Sequence, residues 1–188
     1  ISLGLVGSEM CIRDSFSIFD EVEPNPSIET TEKILSQLDF MDSEDLSDLY
    51  PQASEGKNTA DEWIVDIKKL NILVQKELES DIIVEGHFAH FMDNIDTVIV
   101  LRCDPNVLKS RLEERSYSES KIKENLEAEA IGVIYSEALE TVAENRLFQL
   151  DTTDLEIGDS CKILKDFFDN KVKLDETIDY SERILEWY

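Results

Sequence analysis

The residues best placed to do chemistry follow a short apolar run in the middle of the chain. The stretch "IIVEGHFAHF", residues 82–91, passes from β-branched residues to Glu85, Gly86 and His87, and the whole sequence contains two histidines. A carboxylate beside a phosphate site can hold Mg²⁺, usually through water because Mg²⁺ dehydrates reluctantly. Gly86 would let the backbone turn tightly there. The alternative interpretation is structural, with Glu85 capping the next helix and His87 packed in the interior.

Arginines form the second group of candidates. Arg102 ends the apolar run "TVIVLR", and Arg111 and Arg115 follow four residues apart, on one face of a predicted helix. Guanidinium groups bind phosphate oxygens through two parallel hydrogen bonds, so this pair is suited to clamp a phosphate. The alternative is pairing with the neighbouring glutamates at the surface, which is common for arginines in an acidic chain.

The elements that must position these side chains are two buried strands. "DIIVEG" and "TVIVLRC" are β-branched runs bounded by turn residues. They are too short for helices and apolar on both faces, which is typical of the interior of a parallel sheet. Ligands of such sheets bind beyond the carboxyl ends of the strands. We therefore expect Glu85 and His87 at the carboxyl end of a central strand, next to the strand that ends at Arg102.

The remaining pattern alternates short apolar runs with segments of helical periodicity. We predict strands at "FSIF" and "RLFQLDTT", and an acidic loop over residues 39–61. We predict helices at "SIETTEKILSQL", "EWIVDIKKLNILVQKEL", "NVLKSRLEER", "ESKIKENLEAEAIGVIYSEALETVA" and "GDSCKILKDFFDN". This order predicts an α/β fold of three layers, in which a mostly parallel sheet is flanked by helices.

The charge balance restricts the partners. The 188 residues include 43 acidic and 18 basic side chains, which gives a formal net charge of −25. We expect no direct binding of duplex nucleic acid, since that depends on Lys and Arg displacing counterions, and a basic protein partner is favoured. Three dispersed cysteines predict a reducing, cytoplasmic setting without a disulfide framework. No apolar run approaches the ~20 residues that cross a bilayer, so we expect a soluble protein with no membrane partner.

Both ends of the sequence differ from its middle. There is no initial Met, and "SLGLVGSEMCIRDS" closely resembles translated sequencing-adapter DNA, so residues 1–15 are expected to be non-native and to take no part in the fold. A genuine first strand at Ile1 to Val6 is the alternative. Residues 16–170 then form the domain. Residues 171–188 form an acidic extension ending in "RILEWY", which either docks as a short helix or stays a partly ordered tail.

From about Glu62 to Thr153 the sequence resembles the small adenylate kinases of the isoenzyme-six type. These are P-loop proteins of archaea and eukaryotes that also act as ATPases in maturation of the small ribosomal subunit. The family's Asp-x-His strand end matches Glu85-Gly86-His87, with Glu in place of Asp. Its "VLR" strand and its "RLEERGY" segment match Val100 to Arg102 and Arg111 to Tyr117, with Ser116 in place of the glycine.

The resemblance implies a P-loop fold like that of nucleoside monophosphate kinases, and transfer of the γ-phosphoryl group of Mg·ATP to AMP, a reaction that rests on positioning and charge neutralisation. It implies a monophosphate-binding region at about 45–65, a lid at about 114–124, and a basic small-subunit ribosomal protein as a partner. In the implied site, Glu85 orders Mg²⁺ through water, His87 positions a water or phosphate, and Arg115 contacts the ATP phosphates. The further implied nucleotide-binding residues are Arg102, Arg111, Tyr117 and Asn125, the last on the helix "KENLEAEA".

One part of the family's site has no counterpart in this sequence. The family needs the loop Gly-x-x-Gly-x-Gly-Lys-Thr after its first strand, because backbone N–H groups wrap the phosphates only where there is no Cβ, and the Lys reaches the β and γ oxygens. This sequence has no glycine between Gly7 and Gly56. If "FSIF" is the first strand, the loop is "DEVEPNPSI", whose three carboxylates repel an anion from the N-terminus of the next helix.

Two explanations of the missing loop remain open: read-through has replaced the true start, or the loop has decayed by divergence. Both predict that the chain binds ATP weakly and is a poor catalyst. They also leave a second function open, in which the kinase-like scaffold is a non-catalytic, acidic binding module for a basic ribosomal protein.

Overall fold

The structure is a computed structural model that describes residues 3–7, 42–45, 50–57, 63–77, 82–86, 88–114, 117–174 and 177–187. Its strands are β1 (Leu3–Gly7), β2 (Asp42–Asp45), β3 (Ser54–Lys57), β4 (Trp63–Val65), β5 (Ile82–Glu85), β6 (Thr97–Arg102) and β7 (Leu147–Asp151). Its α-helices are α1 (Tyr50–Ala53), α2 (Ile67–Glu77), α3 (Pro105–Glu114), α4 (Glu119–Ala130), α5 (Val133–Thr141) and α6 (Ile157–Phe168). Short 3-10 helices span Ala89–Phe91, Glu144–Arg146 and Ser181–Glu186. None of the helices in these ranges is long and apolar enough to span a membrane.

Five of the strands form one parallel sheet in the order β2-β5-β1-β6-β7. The other two, β3 and β4, form a separate antiparallel pair in which Ser54 lies opposite Val65. Parallel strands need crossover connections, and α3, α4 and α5 provide the one between β6 and β7. The prediction of an α/β fold with a mostly parallel sheet flanked by helices is confirmed.

The strand at the centre of this sheet is β1. Its register pairs Leu3 with Ile83 of β5 on one side and with Thr97 of β6 on the other. Without β1, strands β5 and β6 would stand about 9–10 Å apart, and their facing backbone groups would lack ladder partners. The expectation that residues 1–15 take no part in the fold is therefore corrected for β1, in favour of the alternative of a first strand. "FSIF" and the helix predicted after it lie outside the described residues.

Alternate residues of β6 point into two hydrophobic cores, one on each face of the sheet. On one face, Ile99 and Leu101 pack in a cluster with residues of α3, α4 and α6. On the other face, Val98 and Val100 pack in a cluster with residues of α2 and α5. These four side chains are at most 1% exposed, and full burial of such a side chain contributes roughly 1.5–3 kcal/mol. Both cores are therefore anchored to the same strand.

The region from residue 39 to 61, predicted as a loop, contains the regular elements β2, α1 and β3. The helix predicted from Glu62 onward begins only at Ile67. It begins there because the Asp66 side chain accepts hydrogen bonds from two backbone N–H groups of the first turn, at 2.9 and 3.1 Å, and so caps the helix. The residues before this cap, Trp63–Val65, form β4 instead.

The long helix predicted over residues 119–143 is two helices, because the chain turns at Gly132. This glycine has φ 64 and ψ 45, in the left-handed region, which glycine adopts without steric cost. A Cβ at this position would lie 3.7 Å from the guanidinium nitrogens of Arg102. The junction between α4 and α5 therefore lies directly against the side chain that ends β6.

Disrupting the ladder of β1 should unfold the domain, because β1 joins β5 to β6 in the described sheet. We expect Leu5→Pro to lower the free energy of unfolding by about 3 kcal/mol or more, since proline removes a backbone N–H and is tolerated only at sheet edges. Leu5→Val keeps the N–H and is the control. Thermal unfolding followed by circular dichroism measures both variants, and equal melting temperatures would contradict the central position of β1.

Candidate functional site

The carboxyl ends of the five parallel strands meet at one side of the sheet, which we call the carboxyl edge. The strands end there at Gly7, Asp45, Glu85, Arg102 and Asp151. Open parallel sheets bind their ligands beyond this edge. The charged residues at these strand ends therefore define the candidate site.

The structure separates two strand ends that were predicted to be neighbours. Glu85 ends β5, an interior strand of the sheet, as predicted. However, β1 lies between β5 and β6, and Leu5 of β1 pairs with Glu85 on one side and with Ile99 on the other. Arg102 is therefore two strand spacings across the sheet and three residues further along it, roughly 14 Å from Glu85. The predicted adjacency is wrong because it left residues 1–15 out of the sheet. His87 and the side chain of Glu85 lie outside the described residues.

The register gives Glu85 a different acidic neighbour, Asp45. The two residues are Cα partners at the ends of β2 and β5. Carboxylate oxygens are ligands that Mg²⁺ prefers, so these residue types fit a magnesium ion. Among the described side chains, no group of three or more His, Cys, Asp or Glu residues could hold a metal. Sequence reasoning missed this strand because "DSED" lacks the β-branched and aromatic residues typical of strands.

The guanidinium group of Arg102 points into the protein, and its side chain is 2% exposed. Its Nε donates to Glu129 Oε1 at 2.8 Å, and its Nη2 donates to the Glu129 carbonyl at 2.9 Å. Its Nη1 donates to the side-chain oxygen of Gln149 and to the Ile178 carbonyl, the latter at 3.0 Å. The Tyr180 ring lies 5.5 Å from the guanidinium carbon. One side chain thus joins β6, β7, the end of α4 and the C-terminal segment.

This placement argues against a phosphate contact by Arg102. A phosphate could reach the guanidinium only by breaking these hydrogen bonds. It would leave the Glu129 side chain, 4% exposed, buried without this cation, and breaking such a pair costs about 3–5 kcal/mol. The prediction that Arg102 contacts a nucleotide is therefore corrected: in this structure Arg102 is a buried structural cation. Glu129 also accepts from the Cys103 N–H at 3.1 Å, which fixes the first residue beyond β6.

Arg111 lies in the second half of α3, and its side chain reaches the loops that follow β6 and β7. Its Nη2 donates to the carbonyl oxygens of Thr152 and Thr153, both at 3.2 Å, and its Nη1 donates to Cys103 Sγ at 3.4 Å. These described partners are all neutral, so they orient the guanidinium without cancelling its charge. Arg111 therefore brings a positive charge to the carboxyl edge.

The other predicted site residues lie beyond α3. Tyr117 packs against the hydrophobic cluster on the α3 face of the sheet, and Lys121 Nζ lies 5.5 Å from its ring. Asn125 donates to the Lys121 carbonyl of its own helix at 2.7 Å. Arg115 lies outside the described residues, and its contact with ATP phosphates stays a prediction.

Threonine side chains hold the loops at this edge together, and sequence reasoning did not identify them. The Arg102 carbonyl accepts from the N–H and the hydroxyl of Thr152, at 2.8 and 2.9 Å. The Asp104 N–H donates to Thr153 Oγ1 at 2.8 Å, and the Thr153 hydroxyl donates to Asp151. The two loops after β6 and β7 therefore form one connected surface, to which Arg111 is attached.

The topology and this edge define a class of protein. A parallel sheet covered by helices on both faces, with charged residues at its carboxyl edge, defines an open α/β fold. A solved structure of an uncharacterized protein from Eubacterium ventriosum has the same overall fold, with a TM-score of 0.51. The alignment covers 90% of this chain and 98% of that chain at 8% identity, and it supports the fold alone.

Sequence comparison gives the particular family. The family described as AAA domain matches residues 29–132 of the 188-residue chain, and this chain belongs to that family. A protein of Thermococcus onnurineus named "Putative adenylate kinase" is 34% identical over 131 residues, which are 69% of this chain and 71% of that protein. A protein of Methanococcus maripaludis with the same name is 42% identical over 94 residues. The family is thus one of P-loop proteins that are similar to nucleoside monophosphate kinases.

The chain does not cover the whole of these relatives. The match to the Methanococcus protein spans 50% of this chain and 51% of that protein. The chain thus spans about half the length of that relative. The match therefore does not establish the activity of the whole relative for this chain.

Replacing Arg102 alone should destabilise the protein more than replacing it together with its partner. We expect Arg102→Met to lower the free energy of unfolding by about 3–5 kcal/mol, because the Glu129 carboxylate stays buried without this cation. Adding Glu129→Gln removes that charge and should recover part of the loss. Urea unfolding of both single variants and the double variant gives the coupling energy, and strictly additive losses would count against the pair.

Proposed function

We propose that this chain is an adenylate-kinase-type domain whose fold serves transfer of the γ-phosphoryl group from Mg·ATP to AMP, with activity limited by a missing glycine-rich loop. The observation that carries the proposal is the Arg111 guanidinium, held at the carboxyl edge by neutral partners in a chain of net charge −25. Phosphoryl transfer needs positioned positive charge rather than a covalent residue. Membership of the AAA domain family and the likeness to the archaeal relatives support the same chemistry.

A positive charge at this edge is large enough to matter for a nucleotide. A phosphate about 4 Å from a guanidinium gains roughly 1–4 kcal/mol, for effective dielectric constants between 80 and 20. The acidic residues that end β2, β5 and β7 act in the opposite direction, so arginines and a metal ion must lie close to the phosphates. In this proposal Arg115 acts with Arg111, and Tyr117 and Asn125 contribute to nucleotide binding, as the family resemblance implies.

Asp45 and Glu85 are the residues that would hold Mg²⁺. Their register at the ends of β2 and β5 supports this role, since it brings two carboxylate residues alongside each other. Mg²⁺ takes oxygen ligands and keeps several waters, so one or two carboxylates suffice. A bound ion would offset charge on the phosphates. His87 would position a water or a phosphate, as the family resemblance implies.

The missing loop limits this activity. The central strand ends at Gly7, so the segment that follows it begins at residue 8, and not at residue 20 as the "FSIF" interpretation predicted. Neither segment holds a glycine, because the next glycine is Gly56. Residues with a Cβ disfavour the conformation in which successive N–H groups converge on a phosphate. We infer that the chain binds ATP weakly.

A loop graft tests the proposal. We expect a chain in which Gly-x-x-Gly-x-Gly-Lys-Thr replaces residues 8–15 to form ADP from Mg·ATP and AMP, and the unchanged chain to form little or none. The same graft over residues 20–27 is the matched control, because it does not directly follow β1. A coupled assay of ADP formation measures all three. No ADP from either graft would contradict the proposed function, and equal activity of the grafts would contradict the position of the loop.

Variants of α3 give this test a second arm. In the active graft, Arg111→Gln should weaken ATP binding about tenfold, a typical effect of removing one charged hydrogen-bond donor. Lys109→Gln is the control, because Lys109 is an exposed residue of the same helix, 3.8 Å from Glu113. It should change the affinity less than about twofold. Equal losses in both variants would mean that net charge, rather than the position of Arg111, governs binding.

A second function is favoured by one observation, the formal net charge of −25. In this alternative the kinase-like scaffold is an acidic binding module for a basic protein of the small ribosomal subunit. Attraction between opposite net charges is screened beyond about 10 Å at 0.1 M salt. We therefore expect calorimetry to detect such a protein at low salt, with affinity that falls as salt is added. No binding at low salt would rule out the alternative.

A further inference from the structure

The C-terminal segment 177–187 crosses the carboxyl edge beside β6 and β7, and we call it the strap. The Ile178 carbonyl accepts from Arg102, and the Tyr180 ring lies beside the same guanidinium. Trp187 packs against the hydrophobic cluster on the α3 face. The last part of the strap is a 3-10 helix. Of the two outcomes that the sequence allowed for this tail, docking as a short helix is the one found.

Arg183 binds the strap to the start of α3. Its Nε and Nη2 donate to Asp104 Oδ2 at 3.0 and 2.6 Å. The other carboxylate oxygen, Oδ1, accepts from the Asn106 N–H at 2.8 Å. The Asp104 carbonyl accepts from the N–H groups of Val107 and Leu108, both at 2.9 Å. Asp104 is therefore the N-cap of α3, with one side-chain oxygen bound to the helix and the other bound to the strap.

Tyr180 binds the strap to the loop after β7. Its hydroxyl lies 3.3 Å from Thr153 Oγ1. The Thr153 hydroxyl donates its own proton to Asp151, so Tyr180 is the donor in this contact. Tyrosine is protonated at neutral pH, and burial raises the pKa of Tyr180 further, so its hydroxyl can donate. Because Thr153 also accepts from the Asp104 N–H, the two strap contacts act on one connected pair of loops.

We propose that Arg183 is a positioning residue for the candidate site: by holding Asp104, it fixes α3 and thereby the Arg111 guanidinium. The connection is short, because Asp104 caps the helix that carries Arg111, and Arg111 donates to the loop that Tyr180 holds. Arg183 also offsets a carboxylate at an edge that must accept phosphates. The effect of Arg183 on nucleotide binding rests on the proposed phosphate role of Arg111.

The strap is suited to dock on the carboxyl edge and to detach from it. Arg183 is 38% exposed and Leu185 is 80% exposed, and segments with few buried contacts open at a small fraction of the global unfolding free energy. Release would leave Asp104 without the Arg183 guanidinium and would remove one acceptor of Arg102. A ligand that needs Arg111 in place should therefore favour the docked strap, and the docked strap should favour the ligand to the same extent.

Hydrogen exchange and arginine modification of the full chain test this role. Arg183→Met should accelerate exchange of the amides of residues 106–108 about tenfold, because the N-cap becomes mobile. It should also raise the rate at which phenylglyoxal modifies Arg111, as read by mass spectrometry. Arg183→Lys keeps the charge, so both rates should rise less in this variant than in Arg183→Met. Glu182→Gln, an exposed neighbour in the strap, is the matched control and should change neither rate.

Two results would overturn the positioning role: unchanged rates at the start of α3, or equal acceleration in β6 and α6, which would mean general destabilisation. Raising the salt concentration weakens a partly exposed ion pair. In the wild-type chain, high salt should therefore reproduce the Arg183→Met pattern, and this test does not depend on how well that variant folds.

These measurements contain no nucleotide, so their outcome does not depend on the proposed function. Millimolar Mg·ATP should then slow exchange in both the strap and the first turn of α3. If the loop graft is active but Mg·ATP does not slow this exchange, the link between Arg183 and nucleotide binding is overturned, whereas the positioning role and the proposed function are not.

Discussion

A buried guanidinium needs an anion to offset its charge and an acceptor for each of its N–H groups. The guanidinium of Arg102, at the end of β6, is buried and must obtain these partners from the surrounding chain. The side chains of Arg102 and Glu129 are 2% and 4% exposed, and taking two charges out of water costs several kcal/mol per ion unless the geometry is good. The acceptors come from β7, from the end of α4 and from the strap. Gly132 adopts the left-handed conformation that turns the chain between α4 and α5 beside this group. Four parts of the chain are thus arranged around one side chain.

This arrangement gives three arginines near the carboxyl edge different roles. The charge of Arg102 is offset inside the protein by Glu129, and that of Arg183 is offset by Asp104 at the start of α3. The described partners of Arg111 are neutral. Of these three arginines, Arg111 is therefore the one whose charge no described carboxylate offsets. In a chain with a large excess of acidic residues, such local placement matters more for anion binding than the total number of arginines.

The parts of the fold that could be predicted are those with a side-chain pattern. β5 and β6 follow from β-branched runs, and β7 follows from a short, largely apolar run. α3 and α6 follow from apolar periodicity, within about two residues at each end. β2 is joined to the sheet by backbone pairing of a polar sequence, which no propensity indicates. The likeness of residues 1–15 to adapter sequence argues against a strand there, so the sequence alone does not predict β1 as the neighbour of β5.

The buried position of Arg102 is indicated by two polar residues elsewhere in the sequence. Gln149 is a polar residue inside the apolar run "LFQLD", and Glu129 falls on the same helical face as Ile122 and Leu126. Both residues fall at positions where the apolar pattern predicts burial, and buried polar side chains need a hydrogen-bond partner inside the protein. A buried arginine can donate to both of them. The contact with the Ile178 carbonyl could not be predicted, because a backbone acceptor leaves no trace in side-chain patterns.

The central strand of the sheet pairs with residues far away in the sequence. Leu3 lies beside Ile83 and Thr97, so during synthesis β1 emerges long before either neighbour exists, whereas β6, β7 and the helices between them form a more local unit. Distant parallel pairing is slow, because the entropy of closing the intervening loops is lost before the contacts form. An unpaired edge of β5 or β6 would offer its backbone groups to another chain, so the pairing of β1 with both strands also protects the sheet against edge-to-edge aggregation.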